Sequence, residues 1–246
     1  FKGRTLISPS IGVQGVYVAS DSTLARAKEI AEENRVLLHM HLAETKKEVA
    51  DYLREKGETP LAHLYNMGFL DESVVAAHCV WLSGKEIGML AKSKASVSWN
   101  AISNSKLASG NALVREMLAK GVNVTIGTDS SGSNNSLSML ESMKFSALAM
   151  KNQYRDAAVI SAQKIFDMAT TNAARALHRR DLGSIEKGKA ADIVLVDIAA
   201  PNMAPSSASN IINNIVYSAN PSNIKYVIVG GRILKGAQKN LADAHF

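Results

Sequence analysis

Short apolar runs alternate with segments of helical periodicity from residue 5 to about residue 176. The predicted strands are Thr5–Gly12, Val36–His41, Val74–Val80, Ala95–Trp99 and Val122–Gly127. Apolar residues three or four positions apart predict helices over Ser22–Asn34, Lys46–Lys56, Pro60–Met67, Ser83–Lys92, Asn111–Lys120, Ser136–Gln153 and Ser161–Arg175. This alternation is typical of repeated βα units. It predicts an α/β fold with five parallel strands.

The pattern changes near Gly183. Three short apolar runs follow it, at Asp192–Asp197, Tyr226–Val229 and Arg232–Leu234. A stretch rich in Pro, Ser and Asn runs from Pro201 to Asn214, and Gly230-Gly231 is a two-residue hairpin signal. We therefore predict β structure appended to the α/β part, with one domain over residues 1–182 and another over 183–246.

Composition narrows the class of protein. The 246 residues include 28 Lys plus Arg and 22 Asp plus Glu, a net charge of +6, but the basic residues are scattered rather than clustered. A nucleic-acid partner is therefore not expected. No apolar run approaches the roughly 18–20 residues that span a bilayer, so no membrane partner is expected. The single cysteine, Cys79, excludes an internal disulfide and favours a reducing, cytoplasmic location.

Three predicted strands lead into side chains that bind metals or move protons. Val36–His41 ends in His41 with Glu44 three residues later, one strand carries His78, and another precedes Asp129. Sites in parallel α/β folds form at the carboxyl ends of strands, so these residues are expected to converge. Metal-assisted hydrolysis needs donors that hold the ion and a group that moves the proton. His41 and Asp129 suit the first role, and Glu44 and His78 the second.

Each of these residues also has an ordinary structural interpretation. A histidine at a strand end is often a core residue, and Asp129 before two serines fits a turn former. Glu44 fits the N-cap region of the helix that begins at Lys46. Their common position at strand ends favours the functional interpretation.

Five motifs in this order resemble the amidohydrolase superfamily. They are VLLHMHLAET at 36–45, VAAHCV at 75–80, SNSKLASG at 103–110, GTDSSGSNN at 127–135 and GSIEKGKAAD at 183–192. The branch they resemble most is that of the 5'-methylthioadenosine/S-adenosylhomocysteine deaminases, which are related to the chlorohydrolases acting on triazines. The similarity covers nearly the whole chain.

The resemblance implies a distorted (β/α)8 barrel, a small β-sandwich and one divalent metal, usually zinc, with iron or manganese as alternatives. It implies hydrolytic deamination of an adenine-bearing nucleoside to the inosine analogue and ammonia. His41 and Asp129 would be metal ligands from strands five and eight. Glu44 would carry a proton to the ring nitrogen, Asp129 would also accept a proton, and His78 would orient the attacking hydroxide.

The family also has a His-x-His pair on strand one, and the only such pair here is His39-Met-His41. Only three predicted strands follow it before Asp129, so we assign His41 to strand five and His39 to the barrel-facing side of the same strand. The expectation is a partial barrel of about strands four to eight with part of the sandwich, the C-terminal portion of a longer enzyme. Either a missing part or another chain would complete it. Alone, it would lack the strand-one ligands, the metal and activity.

Substrate recognition leaves alternatives open. Pro9-Ser10 and Trp99-Asn100-Ala101 stand where the family often has Pro-His and His-Asn-Pro. Another amino- or chloro-substituted ring, such as a triazine or guanine, is therefore an alternative substrate. Glu44, Trp99 and Asn104 are the predicted substrate contacts, although Trp99 fits barrel packing equally well. A scaffold or nucleoside-binding role without metal is the third interpretation.

Self-association is a further open question. The Met-rich segment from Ser138 to Met150 offers apolar surface for a homo-oligomer. Packing of Met139, Met143 and Met150 on the barrel is the favoured alternative.

Overall fold

The computed structural model describes residues 6–236. Five strands form one sheet in the order of the chain: β1 (Ser10–Val13), β2 (Leu37–Leu42), β3 (Val74–His78), β4 (Ser96–Trp99) and β5 (Val124–Ile126). Every neighbouring pair is parallel. The predicted α/β fold with five parallel strands is therefore confirmed. Its carboxyl ends all lie at one edge of the sheet.

The eleven α-helices of the described residues lie between and after these strands. They are α1 (Asp21–Asn34), α2 (Lys46–Lys56), α3 (Pro60–Asn66), α4 (Gly84–Ser93), α5 (Ala101–Lys106), α6 (Val114–Ala119), α7 (Ser131–Asn134), α8 (Met139–Tyr154), α9 (Ala162–Ala169), α10 (Thr171–Ala176) and α11 (Ile211–Tyr217). Each of the seven predicted helical segments contains an α-helix, and the last of them, Ser161–Arg175, contains two. The short helices α5, α7 and α11 were not predicted, because four to seven residues show too little periodicity.

Two predicted boundaries are wrong for identifiable reasons. The first strand begins at Ser10 rather than Thr5, which lies outside the described residues; Pro9 precedes it and has no N–H to donate to a ladder. The predicted helix Ser161–Arg175 is divided at Thr170, whose hydroxyl donates to the carbonyl of Phe166 at 2.8 Å. Threonine hydroxyls that bind a carbonyl four residues back often bend helices.

The residues of strand β2 alternate between the hydrophobic core and the opposite face of the sheet. Leu38, Met40 and Leu42 are buried in the hydrophobic core, while the alternate residues are only partly buried. His39 and His41 therefore share the other face, as expected from the two-residue period of a strand. Burial lowers the pKa of His39.

A separate antiparallel sheet follows the α/β part. It contains β6 (Ile193–Val196), β7 (Ile224–Val229) and β8 (Arg232–Lys235) in that order. The hairpin predicted at Gly230-Gly231 is confirmed, and both glycines have positive φ, at 54° and 78°. Two-residue hairpin turns of this kind require such angles. The domain boundary at residue 183 stays a prediction.

The Met-rich helix α8 packs on the sheet. Met143 and Met150 are buried in the hydrophobic core, and Met139 packs against it. Its exposed apolar residues are Phe145 and Leu148 instead. Within residues 6–236, none of the helices is both long enough and apolar enough to cross a membrane.

Candidate active site

The carboxyl edge of the parallel sheet gathers the predicted functional residues. His41 lies on β2, and Glu44 follows that strand by two residues. His78 is the last residue of β3, and Asp129 comes three residues after β5. Ala43, His78 and Asp129 all have positive φ, a conformation that non-glycine residues rarely adopt. Sparsely populated backbone conformations of this kind cluster at functional sites.

His41 is oriented by the chain segment after β1. Its Nδ1 atom lies 2.8 Å from the carbonyl oxygen of Gln14, to which it donates a hydrogen bond. The proton is thereby fixed on Nδ1, and Nε2 keeps its lone pair. Metal-binding histidines usually have this arrangement, in which the second ring nitrogen donates to a carbonyl.

His78 is almost completely buried beside His41. The two rings are stacked with centroids 5.3 Å apart. Asn104, on α5, places its amide Nδ2 2.9 Å from Nδ1 of His78. Burial lowers the pKa of His78, and attraction to the Glu44 carboxylate opposes that shift without reversing it. The ring is therefore neutral at neutral pH.

The loop that carries Glu44 is held by Glu48. The Glu48 carboxylate accepts the backbone N–H groups of Ala43 and Glu44, both at 2.9 Å. The N-cap of α2 is Thr45, whose hydroxyl accepts from the N–H of Glu48. Glu44 is therefore not the helix cap, and its side chain is free for another role.

The Glu44 carboxylate faces two groups of the site. Its Oε2 atom lies 3.7 Å from Nε2 of His78, and its Oε1 accepts from the hydroxyl of Ser109 at 3.2 Å. The side chain is 19% exposed and forms part of the wall of a cavity of about 960 Å³. Glu44 is thus reachable from solvent while His78 behind it is not.

Asp129 is held on both carboxylate oxygens. The hydroxyl of Ser103 donates to Oδ2 at 2.5 Å, and the N–H of Ser130 donates to Oδ1 at 2.6 Å. Partial burial opposes ionisation, but these hydrogen bonds outweigh it and keep the pKa of Asp129 below its ordinary value. Asp129 is therefore a fixed, ionised carboxylate.

Two of these side chains are suitable ligands for a divalent metal. The lone pair on Nε2 of His41 and the ionised Asp129 are donors that zinc accepts. His78 Nε2 is buried without a hydrogen-bond partner among residues 6–236, and it is not one of the two donors. Residues 6–236 contain no group of three or more His, Cys, Asp or Glu side chains arranged to hold a metal. The chemistry of these two donors fits a divalent metal.

Comparison with known proteins decides the family. A model of the amidohydrolase family matches residues 2–234. The chain belongs to the amidohydrolase family. This agrees with the five motifs and with the parallel sheet that carries them.

Curated relatives of this amidohydrolase include deaminases. It is 44% identical to the 5'-deoxyadenosine deaminase of Methanopyrus kandleri, over 93% of this chain and 53% of the relative. It is 43% identical to the 5-methylthioadenosine/S-adenosylhomocysteine deaminase 1 of Archaeoglobus fulgidus, over 92% and 53%. The chain therefore spans about half the length of the curated relatives it matches.

A solved amidohydrolase structure has the same fold. An adenosine deaminase from Xanthomonas campestris, solved with bound zinc, superposes with a TM-score of 0.92 at 32% identity. The match covers 99% of this chain and 55% of that structure.

Two predicted substrate contacts of this amidohydrolase are buried. Trp99 and Asn104 have no exposed surface in the structure. Trp99 packs in the hydrophobic core, which was the alternative interpretation of its position. Asn104 contacts His78 instead of an open cavity. Neither side chain presents a face on which a substrate can bind.

Sequence reasoning did not assign four further residues of the site, namely Gln14, Glu48, Ser103 and Ser109. Ser103 and Ser109 lie inside a motif that was noted, but the motif carried no information about their partners. Each of the four acts through a hydrogen bond to a predicted residue or its backbone. The spacing of Glu48 four residues after Glu44 was the one local signal available.

Proposed function

We propose that this protein catalyses metal-dependent hydrolytic deamination of an adenine-bearing nucleoside, giving the inosine analogue and ammonia. The observation that carries the proposal is the separation of 3.7 Å between the Glu44 carboxylate and the buried, otherwise unpartnered Nε2 of His78. Glu44, which solvent can reach and which can carry a proton, therefore lies next to His78, which is buried and can orient water. The names of the curated relatives support the substrate class: adenosine-like nucleosides, 5'-methylthioadenosine or S-adenosylhomocysteine.

The proposal includes an architecture. We assign β1 to β5 to about strands four to eight of a (β/α)8 barrel, and the antiparallel sheet to part of a small β-sandwich domain over residues 183–246. Both assignments are supported by the order of the parallel strands and the similarity to the zinc-bound adenosine deaminase. We expect the reaction to occur in the cytoplasm, and self-association stays open.

The resident metal in this proposal is a single divalent ion, with zinc favoured and iron or manganese as alternatives. His41 and Asp129 would hold it. Structural and catalytic zinc sites use at least three protein ligands, so further ligands would come from outside residues 6–236. When bound, such an ion polarises water and makes it a nucleophile near neutral pH.

The chain's own residues handle the proton. The Glu44 carboxylate is positioned to accept one proton from the attacking water and pass it to the ring nitrogen, and then to pass the water's second proton, first accepted by Asp129, to the departing amine. Asp129 is held ionised by Ser103 and Ser130, so it can accept a proton from the attacking water. His78 is neutral and orients that water. A fixed array of this kind needs little rearrangement during the reaction.

The test is hydrolysis by the purified, zinc-supplied full-length enzyme, followed by ammonia release, or by chloride release for the chloro-triazines. Adenosine, 5'-methylthioadenosine and S-adenosylhomocysteine are compared with guanine and with amino- and chloro-triazines by kcat/KM. We expect a nucleoside to be the best substrate. Glu44→Gln should lower kcat about 10²- to 10⁴-fold, the usual contribution of a general acid or base, with zinc content unchanged.

The matched control is Glu33→Gln on the exposed face of α1, which should keep full activity. Wild-type kcat in Glu44→Gln would refute the role of Glu44. Preference for a triazine would move the protein to the chlorohydrolase-like alternative. Nucleoside binding with neither zinc nor turnover would make it a binding module.

A further inference from the structure

We propose that Asn104 is a positioning residue that fixes the tautomer of His78, so that the ring presents an Nε2–H to the reaction site. This inference rests on the proposed function for its catalytic meaning, although the tautomer itself is a property of the folded chain. It replaces the predicted direct contact of Asn104 with substrate.

The first observation is the contact between the two buried side chains. Asn104 is 0% exposed and His78 is 1% exposed, so water does not compete for their hydrogen bonds. The amide Nδ2 of Asn104 lies 2.9 Å from Nδ1 of His78. An amide NH₂ group donates and does not accept. With the amide in this orientation, Nδ1 of His78 is the unprotonated acceptor.

The second observation concerns the other ring nitrogen. Nε2 of His78 has no hydrogen-bond partner, and the Glu44 carboxylate lies 3.7 Å from it. A hydrogen on Nε2 is attracted to that carboxylate, whereas a lone pair there would be repelled by it. A neutral imidazole carries one N–H, so the proton belongs on Nε2. The two contacts therefore require the same tautomer.

The position of Asn104 in the fold makes it suited to this task. It lies on α5, and its own backbone N–H donates to the carbonyl of Asn100 at 2.9 Å. The preceding residue, Ser103, donates to Asp129. One short helix thus holds two functional side chains that follow two different strands. Side chains held by such supporting hydrogen bonds keep the geometry that chemistry requires.

The tautomer decides what His78 can do. With a hydrogen on Nε2, the ring donates to the oxygen of the attacking water and leaves its nucleophilic lone pair free to be directed. With the opposite tautomer, the ring would present a lone pair and accept a hydrogen bond from the water, which would then turn an O–H group instead of a lone pair toward the ring. Fixing the tautomer of a catalytic-site histidine through its second nitrogen is a recognised way to set its role.

The decisive experiment is a long-range ¹H–¹⁵N NMR spectrum of the metal-free protein with ¹⁵N-labelled histidine at neutral pH. Six histidines contribute signals, and the His78→Gln variant identifies those of His78. We expect the pattern of a neutral ring protonated on Nε2. A ring protonated on Nδ1, or rapid exchange between the two tautomers, would overturn the proposal without any further variant.

The Asn104→Asp variant tests the cause. A carboxylate at this position accepts a hydrogen bond, so Nδ1 of His78 should become protonated, with or without loss of the hydrogen on Nε2, and the spectrum should change accordingly. An unchanged tautomer would show that Asn104 does not fix it. Asn152→Asp, on the exposed surface of α8, is the control and should leave the His78 signals unchanged. Circular dichroism establishes that each variant is folded.

Kinetics connect the tautomer with the reaction. We expect Asn104→Asp to lower kcat by about 10²-fold or more while KM changes less than about threefold, because a wrong tautomer impairs chemistry rather than binding. An unchanged kcat with a changed tautomer would refute the positioning role. If the zinc-supplied, full-length wild-type enzyme deaminates nothing, the proposed function fails, while the NMR result still decides the tautomer.

Discussion

The imidazole rings of His41 and His78 are stacked at an interplanar angle of 15°, with their centroids 5.3 Å apart. The two residues are 37 positions apart in the chain but lie on neighbouring strands. The parallel register pairs His41 with Ala77 and Leu42 with His78. In a regular ladder His78 would share the face of its partner Leu42 rather than that of His41. His78 is the last residue of β3 and has a positive φ of 74°, so the backbone departs from the regular strand where its ring stacks on His41.

Gly127 precedes the loop that carries Asp129, and its lack of a side chain is required there. A Cβ atom would lie 2.2 Å from Oδ1 of Asn100 and 2.5 Å from Oγ of Ser98. Asn100 is buried, so it has little room to move. We expect Gly127→Ala to lower the free energy of unfolding by about 1–3 kcal/mol, measured in urea, as overpacking usually does.

The control for this prediction is Gly88→Ala in the interior of α4. Only the Lys120 Nζ atom lies within 4 Å of the added carbon, at 3.6 Å. Because alanine favours a helix more than glycine does, this variant should gain about 0.5–1 kcal/mol. Equal urea midpoints for Gly127→Ala and the unmodified protein would contradict the assigned contact.

The ion pair of Lys28 and Asp71 should make stability depend on pH. The two charged atoms lie 2.6 Å apart, and the Lys28 side chain is only 11% exposed. Partial burial opposes ionisation of Asp71, but the bonds from Lys28 and Ser73 outweigh it, so the pKa of Asp71 lies below its ordinary value. The stabilisation is therefore complete above pH about 4 and is lost as pH falls through the folded pKa.

We expect Asp71→Asn to destabilise the protein by about 1 kcal/mol at pH 7, a value reduced for the partial exposure of Asp71. The difference should shrink below pH about 4, as followed by urea unfolding at several pH values. Glu29→Gln removes an exposed pair with Arg26 and should change stability by less than about 0.5 kcal/mol. A gap between Asp71→Asn and the unmodified protein that widens toward low pH would contradict this linkage.

The single cysteine should be unreactive in the folded protein. Cys79 is fully buried, and burial raises the pKa of its thiol far above the ordinary range. The thiolate is the reactive species, so a disulfide reagent such as DTNB should label Cys79 only as the protein unfolds. The measurement is the rate of labelling with and without urea. Rapid labelling of the native protein would show that this part of the core is open.

The two tryptophans should differ in their access to solvent. Trp99 is fully buried, whereas Trp81 is 38% exposed and donates from Nε1 to the carbonyl of Ser109 at 2.6 Å. In Trp81→Phe, the remaining fluorescence should be nearly insensitive to acrylamide. In Trp99→Phe, it should be readily quenched. Strong quenching in Trp81→Phe would show that Trp99 is accessible to solvent, and stacking of a base on Trp99 would again be a valid prediction.

The sequence alone predicted much of the architecture because the relevant signals are local. Apolar runs separated by helical periodicity located β2 to β5 to within three residues at each end. The glycine pair at 230–231 located the hairpin because its turn depends on two adjacent φ angles. The first strand and the divided helix near Thr170 were misjudged, since each depends on the chemistry of one residue, the missing N–H of Pro9 or the hydroxyl of Thr170, and not on the apolar pattern.

The sequence by itself also determined which chemical groups meet. His41, His78 and Asp129 follow parallel strands, and the carboxyl ends of parallel strands share an edge. Only the tertiary structure decided how each group is held. Asn104 and His78 are 26 residues apart, as are Ser103 and Asp129, and no local pattern relates such pairs. A hydrogen bond requires the donor and acceptor to be placed to within a few tenths of an ångström. That precision is reached only when every element has packed against its neighbours.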